Sequence, residues 1–260
     1  TCPIMHPLLA ELFYDLDIDS EELLRVGLRA GVRTGHQMVI FETVEDELIE
    51  LSVERPVACV LLRSDGTHLT LVGRDHILER VAGRNYRVSA ASFFQVNTAG
   101  ADQLIRLVLE GLEPRPHHSV LDLYAGVGLF SLALADQVGQ VWAVEASPTA
   151  VADLSFNVQA CGAVNVHIQA GDVADALNRF EGAVDRAVVD PPRAGCGALV
   201  VKYLVGLQVQ RLVYVACDPA TLARDARLLA ATGYQLAWVQ PVDMFPQTYH
   251  IEAVALFLRT

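Results

Sequence analysis

From residue 117 onward the chain alternates two kinds of apolar pattern. Short, nearly continuous apolar runs lie at 119–123, 140–144, 164–169, 184–189, 211–216, 234–240 and 250–258. Runs of this kind form strands buried on both faces. Between them, at 129–136, 148–160, 172–179, 197–206 and 219–231, the chain reads as helix. The alternation predicts an α/β fold, a doubly wound Rossmann-like parallel sheet. Only a short loop, 241–249, joins the last two strands, so the last is expected to run antiparallel. Right-handed crossovers bring the loops after parallel strands to one edge, where ligands bind. Those loops hold Gly126, Glu145, Asp172, Asp190-Pro191-Pro192-Arg193 and Cys217-Asp218-Pro219. An antiparallel last strand begins on that same edge, with His250 and Glu252.

Residues 1–90 read differently. A short helix is expected at Leu8–Phe13, followed by β-rich runs at 23–30, 37–42, 56–63, 69–72 and 86–89. Turn signals separate them, as at Ser64-Asp65-Gly66-Thr67 and Ala82-Gly83-Arg84-Asn85. This predicts a small, mostly antiparallel β platform. Residues 91–116 contain a linking helix, 99–112, with Leu104, Ile105, Val108, Leu109 and Leu112 at helical spacing. Just before it, Gln95 and Asn97 could cap the helix, and Gln95 could equally reach a ligand. Pro114-Arg115-Pro116 marks the boundary with the third region, 117–260.

Within 119–135 a strand turns through Gly126-Val127-Gly128 into a helix. Glycines let a backbone approach a ligand closely, and a helix N-terminus offers free N–H groups. A dinucleotide fingerprint would place a third glycine where Ser131 stands. Its absence favours S-adenosylmethionine, which has no pyrophosphate, over NAD. Asp122 lies near the end of that first strand, and Glu145 ends the next, where an acid suits the two hydroxyls of a ribose.

The composition, 52% apolar over 260 residues, is enough for a sizeable core. No apolar run is long enough to span a bilayer, and the first residues carry no signal-peptide pattern. The five cysteines are scattered, without a C-x-x-C pair, as expected of free thiols in a reducing cytoplasm. A net charge of −12 argues against a broad nucleic-acid footprint but leaves room for a local basic groove. The cations are nearly all arginine, the better residue for bidentate phosphate contacts, with Lys202 the one lysine.

Three places could do chemistry. The prolines after Asp190 make a rigid, donor-poor turn that aims the acid and backbone carbonyls at a site. Cys217 ends a strand and precedes a helix start, which favours its thiolate, although cysteine is also a common buried filler. Cys59, Cys161 and Cys196 lack that setting and read as packing residues. Glu252 is a charge in an apolar strand, either a solvated strand end or a general base tuned by burial.

At these residues the chain resembles the RNA uracil-C5 methyltransferases. The likeness runs through SFFQVNT (92–98), LDLYAGVGLFSLALA (121–135), VVDPPRAG (188–195), YVACDPATLARD (214–225) and DMFPQTYHIEAVAL (243–256). It implies S-adenosylmethionine held by Gln95, Tyr124, Glu145, Asp172 and Asp190, with Gly126 and Gly128 in the cradle. It implies Cys217 as nucleophile and Glu252 as proton acceptor. The implied substrate is a uridine of tRNA or 23S rRNA, flipped out of its stack. Two departures stand out. Leu129 replaces an asparagine that contacts the cofactor in some members. The family's N-terminal RNA-binding β-barrel is not in this sequence, and Cys2 resembles the last of four iron–sulfur ligands, so a catalytic part of a longer protein is expected. Two other readings stay open: methyl transfer to an amine of a base or protein without a covalent cysteine, and an inactive RNA-interacting paralogue that binds S-adenosylmethionine.

Overall fold

His6 and Pro7 start the first helix. The His6 ring accepts from the Leu8 N–H, and proline fits the first helical position because its missing N–H would have no partner there. A computed structural model of the chain describes residues 2, 4–16, 21–49 and 51–260. They divide into two compact units, Thr1–Phe94 and Gln95–Thr260.

In the first unit, helix α1 (Pro7–Asp15) accompanies a sheet of β1 (Leu23–Ala30), β2 (Gln37–Thr43), β3 (Ala58–Leu62) and β4 (His68–Val72), in that order. β1–β2 and β3–β4 are antiparallel, while β2–β3 is parallel. Leu12, Val39, Phe41, Val57, Cys59 and Leu61 form its core. A separate hairpin, β5 (His76–Val81) and β6 (Arg84–Ser89), turns at Ala82-Gly83 with φ of 47° and 80°. Two positive φ values match the twist of a tight hairpin. β5 is absent from the sequence reading because Glu79 interrupts its pattern. That carboxylate is buried and accepts from the N–H groups of Val32, Arg33 and Arg80.

The second unit opens with α2 (Thr98–Leu112), whose C-terminal carbonyls are capped from the sheet. Arg211 donates to Gly111 O at 2.7 Å and Arg186 to Leu112 O at 3.0 Å. Cations at a helix C-terminus satisfy orphan carbonyls and the helix dipole together. Strands and helices then alternate: β7 (Ser119–Leu123), α3 (Leu129–Ala135), β8 (Gln140–Glu145), α4 (Pro148–Cys161), β9 (Val166–Ala170), α5 (Val173–Asn178), β10 (Arg186–Val189), α6 (Gly197–Gly206), β11 (Arg211–Ala216), α7 (Pro219–Ala230), β12 (Tyr234–Val242) and β13 (Glu252–Arg259). The seven strands lie in the order β12-β13-β11-β10-β7-β8-β9. β11, β10, β7, β8 and β9 are parallel, and β13 runs antiparallel between β11 and β12. The strand order reverses between β7 and β10, the place where open α/β sheets bind ligands. Among the described residues no helix is long and apolar enough to cross a membrane.

Candidate active site

Backbone hydrogen bonds lace the loops at the C-terminal edge of the parallel strands. Ala125 N donates to Val144 O, Gly171 N to Glu145 O, and Asp190 N to Leu123 O, at 3.0, 2.8 and 3.2 Å. The sheet edge therefore holds the polar residues of neighbouring loops in fixed relation.

The glycine turn carries two different glycines. Gly126 has φ 56°, and a methyl added there would meet nothing within 4 Å. Gly128 has φ 98°, and an added methyl would lie 2.6 Å from Leu154 of α4. Packing therefore demands the second glycine, while the first borders open space. Tyr124 is left-handed at φ 63°, a costly conformation for an aromatic residue and one that clusters at ligand sites. Glu145 is held by both oxygens, accepting from Gly126 N and Ser147 N at 2.8 Å each. Asp172 is exposed and caps α5, its Oδ1 accepting from Ala174 N and Asp175 N. Gln95 is buried three residues before α2. Asn97 is the cap of that helix, accepting from Gly100 N at 3.0 Å while its amide donates to Met244 O. Leu129 is buried as the first residue of α3.

Three carboxyls gather where β7, β10 and β13 meet the edge. Asp122 is fully buried. Ser131, at the position a third glycine would take, donates to its Oδ2, while its Oδ1 has no partner. Burial pushes Asp122 up to about 7. Burial first, then the charges of Glu252 and Asp122, hold Asp190 well above the usual carboxylate range. Glu252 is 3% exposed, opposite Val242, and burial raises it to about 7.

Cys217 follows Ala216, which pairs with Ala253, so the thiol and Glu252 meet across adjacent strands. The expectation of a favoured thiolate fails. Burial, then Glu252 and Asp190, push the thiol above its ordinary value. A helix N-terminus acts locally, but here two carboxyls from distant parts of the sequence outweigh it. Arg193, exposed on the Asp190 loop, acts in the opposite direction. Asp218 caps α7 by accepting from Thr221 N at 2.8 Å and is held below its usual range mainly by that bond. Among the other cysteines, Cys59 and Cys196 are buried as read. Cys161 is exposed in the last turn of α4, correcting its reading as a packing residue. Cys2 is exposed too, and no group of three metal-ligating side chains occurs among the described residues.

The sequence reading missed Asp225, which is completely buried in α7. The available signal was an acid within the buried stripe Leu222, Asp225, Leu229.

Comparisons with known proteins agree on one kind of chemistry. A family model described as tRNA (uracil-5-)-methyltransferase matches residues 42–260. An uncharacterised RNA methyltransferase of Thermosynechococcus vestitus is 36% identical over 286 residues, covering 98% of this chain and 64% of the relative. Another, from Streptomyces avermitilis, is 38% identical over 98% of this chain and 60% of the relative. The crystal structure of Pyrococcus abyssi tRNA (uracil-54, C5)-methyltransferase, in complex with S-adenosyl-L-homocysteine, superposes with a TM-score of 0.78 at 29% identity. It covers 92% of this chain and 60% of that one. The chain thus spans about three fifths of the length of these relatives.

Proposed function

We propose that this chain, which belongs to the tRNA (uracil-5-)-methyltransferase family, carries the catalytic centre for S-adenosylmethionine-dependent methyl transfer to C5 of a uridine in RNA. The observation that carries the proposal is the meeting of Cys217 and Glu252 across adjacent strands, beside the Asp190 turn at the sheet's switch point.

The residues present suit the cofactor. Open space at Gly126 admits a ligand against the backbone, and Glu145, fixed by Gly126 N and Ser147 N, keeps a lone pair on each oxygen that suits a ribose diol. The orphaned Oδ1 of buried Asp122 and the raised Asp190 suit a ligand that is itself cationic. Gln95, Tyr124 and Asp172 complete the set that would hold it. When bound, S-adenosylmethionine supplies an electrophilic methyl group.

Uracil C5 is a weak nucleophile. Addition of Cys217 Sγ at C6 breaks the C5–C6 double bond and gives C5 enolate character, which makes that carbon competent to accept a methyl group. Glu252, as carboxylate, then takes the C5 proton, the double bond re-forms, and Cys217 is expelled. With a pKa near 7, Glu252 is matched to a proton transfer at neutral pH. The target base must leave its stack to reach the thiol. Arg193 is the nearby cation that assists ionisation of Cys217.

The test uses 5-fluorouridine-substituted cellular RNA, which includes both tRNA and 23S rRNA, with S-adenosylmethionine. Fluorine at C5 cannot leave as a proton does, so the adduct persists. Intact-protein mass should rise by a nuclease-trimmed fragment plus a methyl, mapped to Cys217. The opposing reading, transfer to a nitrogen without covalent catalysis, draws on the raised thiol and the Asp190-Pro191-Pro192 turn. A fully active Cys217→Ala protein would defeat the covalent reading, and loss of activity with S-adenosylmethionine binding intact would defeat the opposing one.

A further inference from the structure

Asp225 lies in the second turn of α7, the helix that begins just past Cys217. Its Oδ2 accepts from Cys196 N at 2.8 Å, Tyr214 OH at 2.8 Å and Gly197 N at 3.4 Å. Its Oδ1 accepts from the Arg224 guanidinium at 2.9 and 3.0 Å, and Arg224 also donates to Ala194 O at 2.7 Å. The Tyr214 hydroxyl in turn accepts from Cys196 N at 3.1 Å. The donors belong to three places: the loop that leaves Asp190 with the first residue of α6, the strand β11 that ends just before Cys217, and α7 itself. Gly195 has φ 76°, and a methyl added there would lie 2.6 Å from both Asp225 Oδ2 and Arg224. The loop backbone is thus drawn down onto the carboxylate. A buried ion that accepts this many hydrogen bonds is fully compensated, whereas a half-made network would be worse than an apolar core.

We propose that Asp225 is a positioning residue, a latch that fixes the Asp190 loop against the Cys217 helix and so sets where the reacting groups stand. The role rests on the methyl-transfer reading above, but its structural content can be tested without that reaction. Glu252, Asp190 and Arg193 are the charges acting most strongly on the Cys217 thiol, and Asp225 is not among them. If Asp225 loses its charge, the thiol is expected to feel it through movement of those groups or a change in its own burial.

The experiment measures alkylation of Cys217 by iodoacetamide from pH 7 to 11, read by peptide mass spectrometry, in the wild-type chain, Asp225→Asn and Tyr214→Phe. Asp225→Asn is expected to move the midpoint by about half a pH unit or more. Tyr214→Phe, which removes the bond to Asp225 and the one accepted from Cys196 N but leaves the Asp225 carboxylate in place, should move it less and in the same direction. Single-turnover methyl transfer in Asp225→Asn should fall about 100-fold, the scale of a 1 Å misplacement. An unmoved midpoint in a folded variant overturns the proposal, whatever happens to melting temperature. If Asp225→Asn does not fold, Tyr214→Phe decides alone. Failure of the methyl-transfer reading appears separately, as a wild-type chain that forms no RNA adduct while Asp225→Asn still shifts the midpoint.

Discussion

Cys217 and Glu252 make opposite demands on one another. In the proposed reaction the thiol has to ionise, yet burial, Glu252 and Asp190 disfavour its negative charge. Glu252 has to be ionised to take the C5 proton, and burial keeps it protonated up to about pH 7. Both requirements are met by raising the pH. The single-turnover rate should therefore climb through pH 7 and go on climbing toward pH 9, with no falling limb in that range. Glu252→Gln separates the two roles. With one opposing charge gone, Cys217 should alkylate at lower pH than in the wild-type chain. With the base gone, uridine-containing RNA should stay trapped on the protein in denaturing gels instead of turning over. Residue types and spacing drew attention to both groups but left a buried filler open for Cys217 and a solvated strand end for Glu252, and the family resemblance implied their roles. The sign of their influence was not legible, because the carboxyls surrounding the thiol arrive from β10 and β13, tens of residues away. Asp225 escaped notice for a related reason: its partners Cys196, Gly197 and Tyr214 lie on other elements.

At the scale of elements, the paired glycines separate binding from packing. Gly126→Ala places a methyl in open space at φ 56° and should cost about 1 kcal/mol of stability for the left-handed backbone. Its larger effect should be on S-adenosylmethionine, with affinity in isothermal titration falling at least about tenfold as the methyl fills the cradle. Gly128→Ala meets Leu154 as well, and overpacking of about 1–3 kcal/mol adds to the backbone cost. Its signature should be a lowered melting temperature exceeding that of Gly126→Ala. Unchanged affinity in Gly126→Ala would remove the loop from the binding site. The strands and helices of 117–260 were readable because strands covered on both faces show as unbroken apolar runs. β5 was not, since Glu79 points inward to collect backbone N–H groups, and hydropathy cannot distinguish that from an exposed acid. The parallel pairing of β2 with β3 was likewise hidden, because pattern reports which face is buried and not which neighbour is chosen.

For the molecule as a whole, Asp122, Asp190 and Glu252 hold protons in the folded chain that an unfolded chain would release. Groups raised in this way make stability fall as pH climbs from the ordinary carboxylate range, and for Asp122 and Glu252 the fall runs through about 7. At about 1.4 kcal/mol per unit, the rise of Glu252 from 4.5 to about 7 amounts to about 3 kcal/mol at pH 8. Urea midpoints should be higher at pH 5.5 than at pH 8, and Glu252→Gln should recover part of the difference while abolishing turnover. The strand that carries Glu252 also has a place in time. β13 leaves the ribosome after both β11 and β12, yet its place lies between them. Until it slots in, those two strands have a gap between them and Cys217 has no acid opposite it. On the proposed mechanism a nascent chain has no base beside its thiol until β13 arrives, and a message cut short before residue 252 yields Cys217 without Glu252.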